Sequence, residues 1–440
     1  MQYKPYTIKN LNTLPQLNRF TPEQIFNIKV VGTVLPFKTN NYVVNELINW
    51  DDFENDPMFI LNFPQREMLS KKHFNTMATL LRANPSKEQI TAAANRIRYS
   101  LNPHPAGQLD KNVPEIDGQR LKGIQHKYRE TMLFFPTQGQ TCHAFCSFCF
   151  RWPQFTGMNG QRFAMKDADL MVRYISEHPE LTDILFTGGD PLTMGTRILS
   201  VYLNAILDAR IPNIRTIRIG TKTLSFWPHR FTTDKDSQAL LMLFKRVTDS
   251  GIHLAIMSHI NHPKEISTSD CKRAIEAIKN TGATIRSQSP ILNKINASSG
   301  IWSKMWKDQV SLGIVPYYMF VARNTGAQDY FSVPLVDAWK IYREAYSSVS
   351  GIARTVRGPS MSASPGKIKI EGITEINDEK VMALNFVQAR NPKWVKRLFF
   401  AEYDENAVWL DDLKPAFGEN KFFFDPPRAD RPVELSPAGN

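Results

Sequence analysis

The sequence predicts an α/β fold: a partial (β/α)6 barrel flanked by an N-terminal helical region and a small C-terminal segment. Three observations carry this expectation. Short apolar runs alternate with amphipathic segments of helical period from Met132 onward. Residues able to do chemistry cluster just after these runs, where parallel sheets build their sites. The alternation stops after six strands instead of continuing to eight.

Residues 1–130 are polar and mostly helical, as in Ser86–Ser100, and carry no recognisable chemistry. Residues 131–350 form the expected core. Its strands are placed at Met132–Thr137, Asp183–Thr187, Ile214–Gly220, His253–Ser258, Ala283–Ser287 and Val315–Val321. Helices between and after them include Lys166–His178, Ile198–Ala209, Asp236–Ser250, Ser269–Thr281 and Leu335–Ser347. Beyond Gly351 the pattern loosens into a C-terminal segment, 351–440, whose Pro-rich charged end Pro426–Asn440 is expected to be mobile.

Composition narrows the class. The chain has 440 residues, 42% of them hydrophobic, enough for one large core or two to three smaller ones. Met1–Phe20 shows no basic–apolar–small secretory pattern, and no apolar run approaches the ~18 residues that span a bilayer. Three of the four cysteines cluster, so they do not read as a disulfide framework; a reducing, cytoplasmic location is expected. The net charge of +12 is scattered without a basic block. This suits a basic enzyme with anionic ligands, and neither nucleic acid nor membrane is expected as a partner.

The most informative motif is Thr141-Cys-His-Ala-Phe-Cys-Ser-Phe-Cys-Phe150, in which Cys142, Cys146 and Cys149 are spaced Cys-x3-Cys-x2-Cys. Soft thiolates select iron–sulfur clusters or zinc. Structural zinc needs four protein ligands, and no second Cys or His pair lies nearby at finger spacing. His143 adjoins Cys142 too closely for an unstrained tetrahedron, and Cys271 is remote. Three thiolates fit a [4Fe-4S] cluster with one open iron. About forty residues on, Thr187-Gly-Gly-Asp-Pro191 ends a strand with two glycines that let backbone approach a ligand, followed by a carboxylate.

Together these motifs resemble the radical S-adenosylmethionine (SAM) superfamily. The resemblance implies that the open iron binds SAM and that Gly188, Gly189 and Asp190 meet its amino group. It narrows, over roughly residues 110–370, to the lysine 2,3-aminomutase family. The residues concerned are Thr216–Thr223, Pro228-His-Arg230, His259-Ile-Asn-His-Pro263, Gln288-Ser289, Pro316-Tyr-Tyr318 and Pro365-Gly-Lys367. That family implies a lysine bound to pyridoxal 5′-phosphate (PLP), here Lys367. The plainer alternative is that Lys367 opens an exposed basic strand. His259 and His262 are implied to line the SAM site.

Departures from the family are specific. The loop before Lys367, Ser362-Ala-Ser-Pro-Gly366, is poorer in glycine, and Thr131 stands where the family has its PLP-phosphate arginine, with Arg129 two residues earlier. Arg151 matches the arginine that grips the amino-acid carboxylate, a task suited to a planar guanidinium. The two aspartates that hold a distal ammonium in lysine-specific members align with Arg323 and the neighbourhood of Ser360. The expected side chain is therefore neutral or acidic: glutamate, aspartate or an amide. Cys271 is expected to be a buried helix residue.

The expected activity is a PLP-dependent 2,3-aminomutase that turns an α-amino acid other than lysine into a β-amino acid. A flavodoxin- or ferredoxin-like reductant and a homo-oligomeric state belong to the same expectation. The alternatives are a PLP-independent radical SAM epimerase, dehydrogenase or protein- or RNA-modifying enzyme, and a non-catalytic electron-transfer module.

Overall fold

The computed structural model describes residues 1–103, 110, 112–158 and 162–425; the expected mobile end Pro426–Asn440 lies outside these. The strands in chain order are β1 (Pro5–Thr7), β2 (Lys38–Asn40), β3 (Glu115–Ile116), β4 (Gln119–Arg120), β5 (Ile124–Tyr128), β6 (Thr131–Phe134), β7 (Asp183–Phe186) and β8 (Thr216–Thr221). They continue with β9 (His253–His259), β10 (Thr284–Ile291), β11 (Ile314–Val321), β12 (Arg357–Ser362), β13 (Gly366–Ile376), β14 (Glu379–Ala389) and β15 (Leu398–Glu402). One sheet of 11 strands runs in order from β15 to β5.

All six expected core strands form, as β6 to β11, paired in parallel in sequence order. A seventh exceeds the expectation. Helix Leu335–Ser347 crosses over and delivers β12 parallel to β11, so the C-terminal stretch continues the same sheet. Its residues, Arg-Gly-Pro-Ser-Met-Ser, carry no apolar alternation; neighbours, not propensity, make it a strand. Antiparallel β13, β14 and β15 extend that edge, and antiparallel β5 extends the other. The sheet is curled: Lys127 Nζ on β5 reaches the Ala363 carbonyl just past β12 at 2.6 Å.

Strand alternation sorts the side chains. Ile184, Phe186, Ile217, Ile219, Leu254 and Ile256 face outward, into one core with Leu203, Ile206, Leu240 and Phe244 of the covering helices. Alternate positions such as Asp183 and Arg218 face the other way, and these two form a bidentate ion pair. A second core joins the N-terminal region to the cysteine loop: Phe37, Phe59 and Phe63 share it with Ala144, Trp152 and Trp227. The helix expected at Ser86–Ser100 begins at Lys87. Ser86 is its N-cap, in a capping box with Gln89. No helix among the described residues is long and apolar enough to cross a membrane.

Candidate active site

The loop after β6 brings the three cysteines together, and all three are free thiols. Burial is the first cause raising each thiol's pKa, and neighbouring cysteines add to it for Cys142 and Cys146. Deprotonating them together requires compensating positive charge, which a bound iron centre supplies. His143 does not complete a zinc site. Its Nδ1 pairs with Thr223 Oγ1 at 3.0 Å and its ring lies edge-on to Tyr3. Cys271, on the helix Ser269–Lys279, is buried with its thiol donating to Leu224 O at 3.4 Å. The donor set is thus three thiols, which fits a cluster with an open iron.

The glycines after β7 permit close backbone contact with this loop. A Cβ on Gly189 would lie 2.5 Å from both N and O of Thr141, and Gly188 has φ +138°. Asp190 ties three loops together. Its main-chain N–H donates to Gly139 O and Thr141 O. Its carboxylate accepts from Thr221 and Thr223 hydroxyls and from the N–H groups of Leu192, Lys222 and Thr223, at 2.8–3.0 Å. It is 2% exposed, and burial pushes its carboxyl up against the opposing pull of those donors. With both oxygens engaged, Asp190 fixes the turn that carries the two glycines against the cysteine loop.

Lys222, after β8, is held at 2.5 Å from Glu265, 2.9 Å from Asn261 Oδ1 and 3.1 Å from the His259 carbonyl. Glu265 is fully buried, so this pair is structural and satisfied. His259, at the end of β9, lies 5.6 Å from the Phe148 ring of the cysteine loop; burial first, and Lys222 second, keep its imidazole neutral. His262 instead accepts the Lys264 N–H at 3.2 Å and caps a turn.

Arg151 and Arg323 both approach the Phe150 ring, their guanidinium carbons 5.9 and 4.8 Å from its centroid. Arg151 sits 4.3 Å over the Phe135 ring, and its Nε and Nη2 are buried without a hydrogen-bond partner. Burial, with Arg323 contributing, draws its pKa down to about 10. Arg323 lies 4.8 Å over Phe150 and donates to Ser362 O at 2.6 Å; burial lowers its pKa as well. Neither guanidinium has a carboxylate partner among the described residues. Two half-buried cations without a carboxylate partner favour an anion between or beside them.

Lys367 is not on an exposed basic edge. It is half-buried, its Nζ 4.2 Å over Tyr318 and 3.2 Å from Gln388 Oε1. Burial, aided by Arg218 and Arg357, lowers its pKa to about 8. A partly neutral amine, an aromatic platform in which Tyr318 stacks on Phe320 at 4.8 Å, and two nearby guanidiniums fit PLP. Arg129 is exposed at the β5–β6 turn; Arg357, at the start of β12, is exposed as well, and Arg218 is paired with Asp183. Arg218 and Tyr318 lie in runs quoted for the family resemblance but were given no role of their own, and Arg357 and Gln388 were not singled out, because such residues inside strands read as ordinary sheet residues.

No protein-family model matches the chain. An Aquifex aeolicus protein provisionally named L-lysine 2,3-aminomutase is 30% identical over 414 residues, covering 94% of this chain and 97% of its own. The L-lysine 2,3-aminomutase of Bacillus subtilis is 27% identical over 74% of this chain, which spans 64% of that protein. The glutamate 2,3-aminomutase of Clostridioides difficile is 25% identical over 79% of this chain and 70% of its own. A radical SAM methyltransferase structure from Sphaerobacter thermophilus overlaps 68% of this chain and 95% of its own, at 15% identity and a TM-score of 0.38. Similarity along nearly the full length of the Aquifex protein places the chain among radical SAM enzymes, as a member of the lysine 2,3-aminomutase family.

Proposed function

We propose that the protein is a PLP-dependent amino acid 2,3-aminomutase acting on an acidic α-amino acid such as glutamate or aspartate. The observation that carries this is the neighbouring pair of half-buried guanidiniums, Arg151 and Arg323, without a carboxylate partner among the described residues. Arg151 holds the α-carboxylate and Arg323 the side-chain carboxylate. A distal ammonium brought to ~4 Å from Arg323 would be repelled by about 4 kcal/mol at an effective dielectric constant of ~20, which disfavours lysine.

Cys142, Cys146 and Cys149 hold a [4Fe-4S] cluster, with the Gly188–Gly189 backbone and His259 beside SAM. Lys367 holds PLP through its amine, with Arg218 and Arg357 toward the phosphate. When bound, the cluster and SAM supply a hydrogen-abstracting radical, and PLP supplies a conjugated nitrogen across which the amino group migrates. The chain's residues do the rest. The two arginines fix which substrate carbon faces the radical source, and the buried Phe135 and Tyr318 rings keep water from their surroundings. The test is anaerobic turnover with SAM, PLP and dithionite over a panel of amino acids, read by mass spectrometry. β-Amino acid from glutamate or aspartate, and little from lysine, is expected; lysine as the preferred substrate overturns the proposal.

A further inference from the structure

The N-terminal region grips the cysteine loop from outside the barrel. Tyr3 Oη donates to the His143 carbonyl at 2.8 Å, and Asn40 Nδ2 reaches the same carbonyl at 3.3 Å. The Phe145 N–H donates to Lys38 O at 2.7 Å, and the Ser147 hydroxyl to Ile60 O at 2.8 Å. In the middle of this seam the Lys38 ammonium donates to the Cys142 carbonyl at 2.7 Å and lies 3.5 Å from Thr141 Oγ1.

Lys38 is half-buried, and its Nζ lies 5.9 Å from the ring centroids of both Tyr3 and Phe145. Among the described residues no carboxylate pairs with it. This sets it apart from Lys222, which is neutralised by Glu265 at 2.5 Å; Arg151, a second cation beside the cysteines without a carboxylate partner, lies over the Phe135 ring. An unneutralised charge beside the first cysteine has an electrostatic consequence as well as a mechanical one. Reduction adds a negative charge to a centre already made anionic by three thiolates, and a fixed cation favours the more negative state.

We propose that Lys38 is a positioning residue for the iron–sulfur centre: it fastens the Cys142 carbonyl and stabilises the one-electron-reduced cluster, making reduction before SAM cleavage easier. This rests on the assignment of the three cysteines as [4Fe-4S] ligands. The step is [4Fe-4S]2+ plus one electron giving [4Fe-4S]+, the electron coming from a low-potential donor, here dithionite; no bond in the chain is made or broken.

The test uses the full-length chain, anaerobically reconstituted with iron and sulfide, as wild type, Lys38→Met and Lys38→Arg. Each is titrated with dithionite without SAM or amino acid, and the reduced cluster is followed by electron paramagnetic resonance. Reduction of the Lys38→Met cluster is expected to be roughly tenfold less favourable, a midpoint about 59 mV lower for one electron. Lys38→Arg should restore most of the difference. A purely structural lysine would lower iron content or Tm without moving the midpoint of the clusters that remain. A wild-type midpoint in Lys38→Met, at full or reduced iron content, therefore overturns the proposal. Wild-type protein that takes up no cluster overturns the cysteine assignment and this proposal with it.

Discussion

Replacing Arg323 by Met tests the substrate assignment most directly. Arg323 makes one hydrogen bond through Nη2, to the Ser362 carbonyl at 2.6 Å, and stacks on Phe150. The rest of its donor fork is available to a ligand. A charge-assisted hydrogen bond contributes about 1.5–3 kcal/mol, so losing the contact to a substrate carboxylate should lower kcat/KM for glutamate by roughly 10- to 150-fold. Both the bound and the reacting substrate keep that contact, so the loss should appear mainly in KM. A neutral amino acid of similar length should change less than about threefold, because it never used the charge. The variant also frees the Ser362 carbonyl in the loop before Lys367, so Arg323→Lys, which keeps a donor and a charge, is the control. The assay is anaerobic turnover with product quantified by mass spectrometry. Equal losses for acidic and neutral substrates would refute the assignment and make Arg323 a loop anchor only.

Four further outcomes are expected. Arg151→Lys replaces a planar fork by a point charge and should cost every amino-acid substrate about 10- to 100-fold in kcat/KM, leaving the preference among them unchanged. PLP fixed to Lys367 by borohydride should rise roughly tenfold between pH 7 and 9, since an amine with pKa about 8 passes from mostly charged to mostly neutral there; no label should form in Lys367→Ala. The same depression, from 10.5 to about 8, means the unfolded chain binds more protons between those values, so this group's contribution to stability grows as pH rises through that window. Gly189→Ala places a methyl 2.5 Å from Thr141 backbone and should cost about 1–3 kcal/mol in unfolding assays, with iron uptake reduced.

The parts of this molecule that speak locally were legible in its sequence. Strands β6 to β11 were found because one apolar face each leaves a period, and Leu335–Ser347 was found at both ends because its amphipathic stripe is uninterrupted. The cysteine loop needed only its spacing. β12 was not found, since its Gly-Pro-Ser centre carries no pattern and is held by Tyr318 and Phe320 across the ladder. Asp190 could be seen as a carboxylate beside two glycines; that Thr221 and Thr223 would occupy both its oxygens depends on a register between β7 and β8 that no local pattern states. Lys367 was visible as a lysine in a turn. Its lowered pKa comes from burial beside residues far away in the chain, including Arg218 and Tyr318, and such partners are set by topology.

The turn that precedes Lys367 has three consecutive carbonyls, each taken by a cation from a different stretch of chain: Ser362 by Arg323, Ala363 by Lys127 and Ser364 by Arg390. One of these fastenings joins residues 236 positions apart. The reactive amine therefore acquires its address only after the sheet has wound fully and distant stretches of the polypeptide have met. Contacts of such separation close late in folding, so a partly assembled chain carries the cysteine motif and the lysine without yet owning a catalyst.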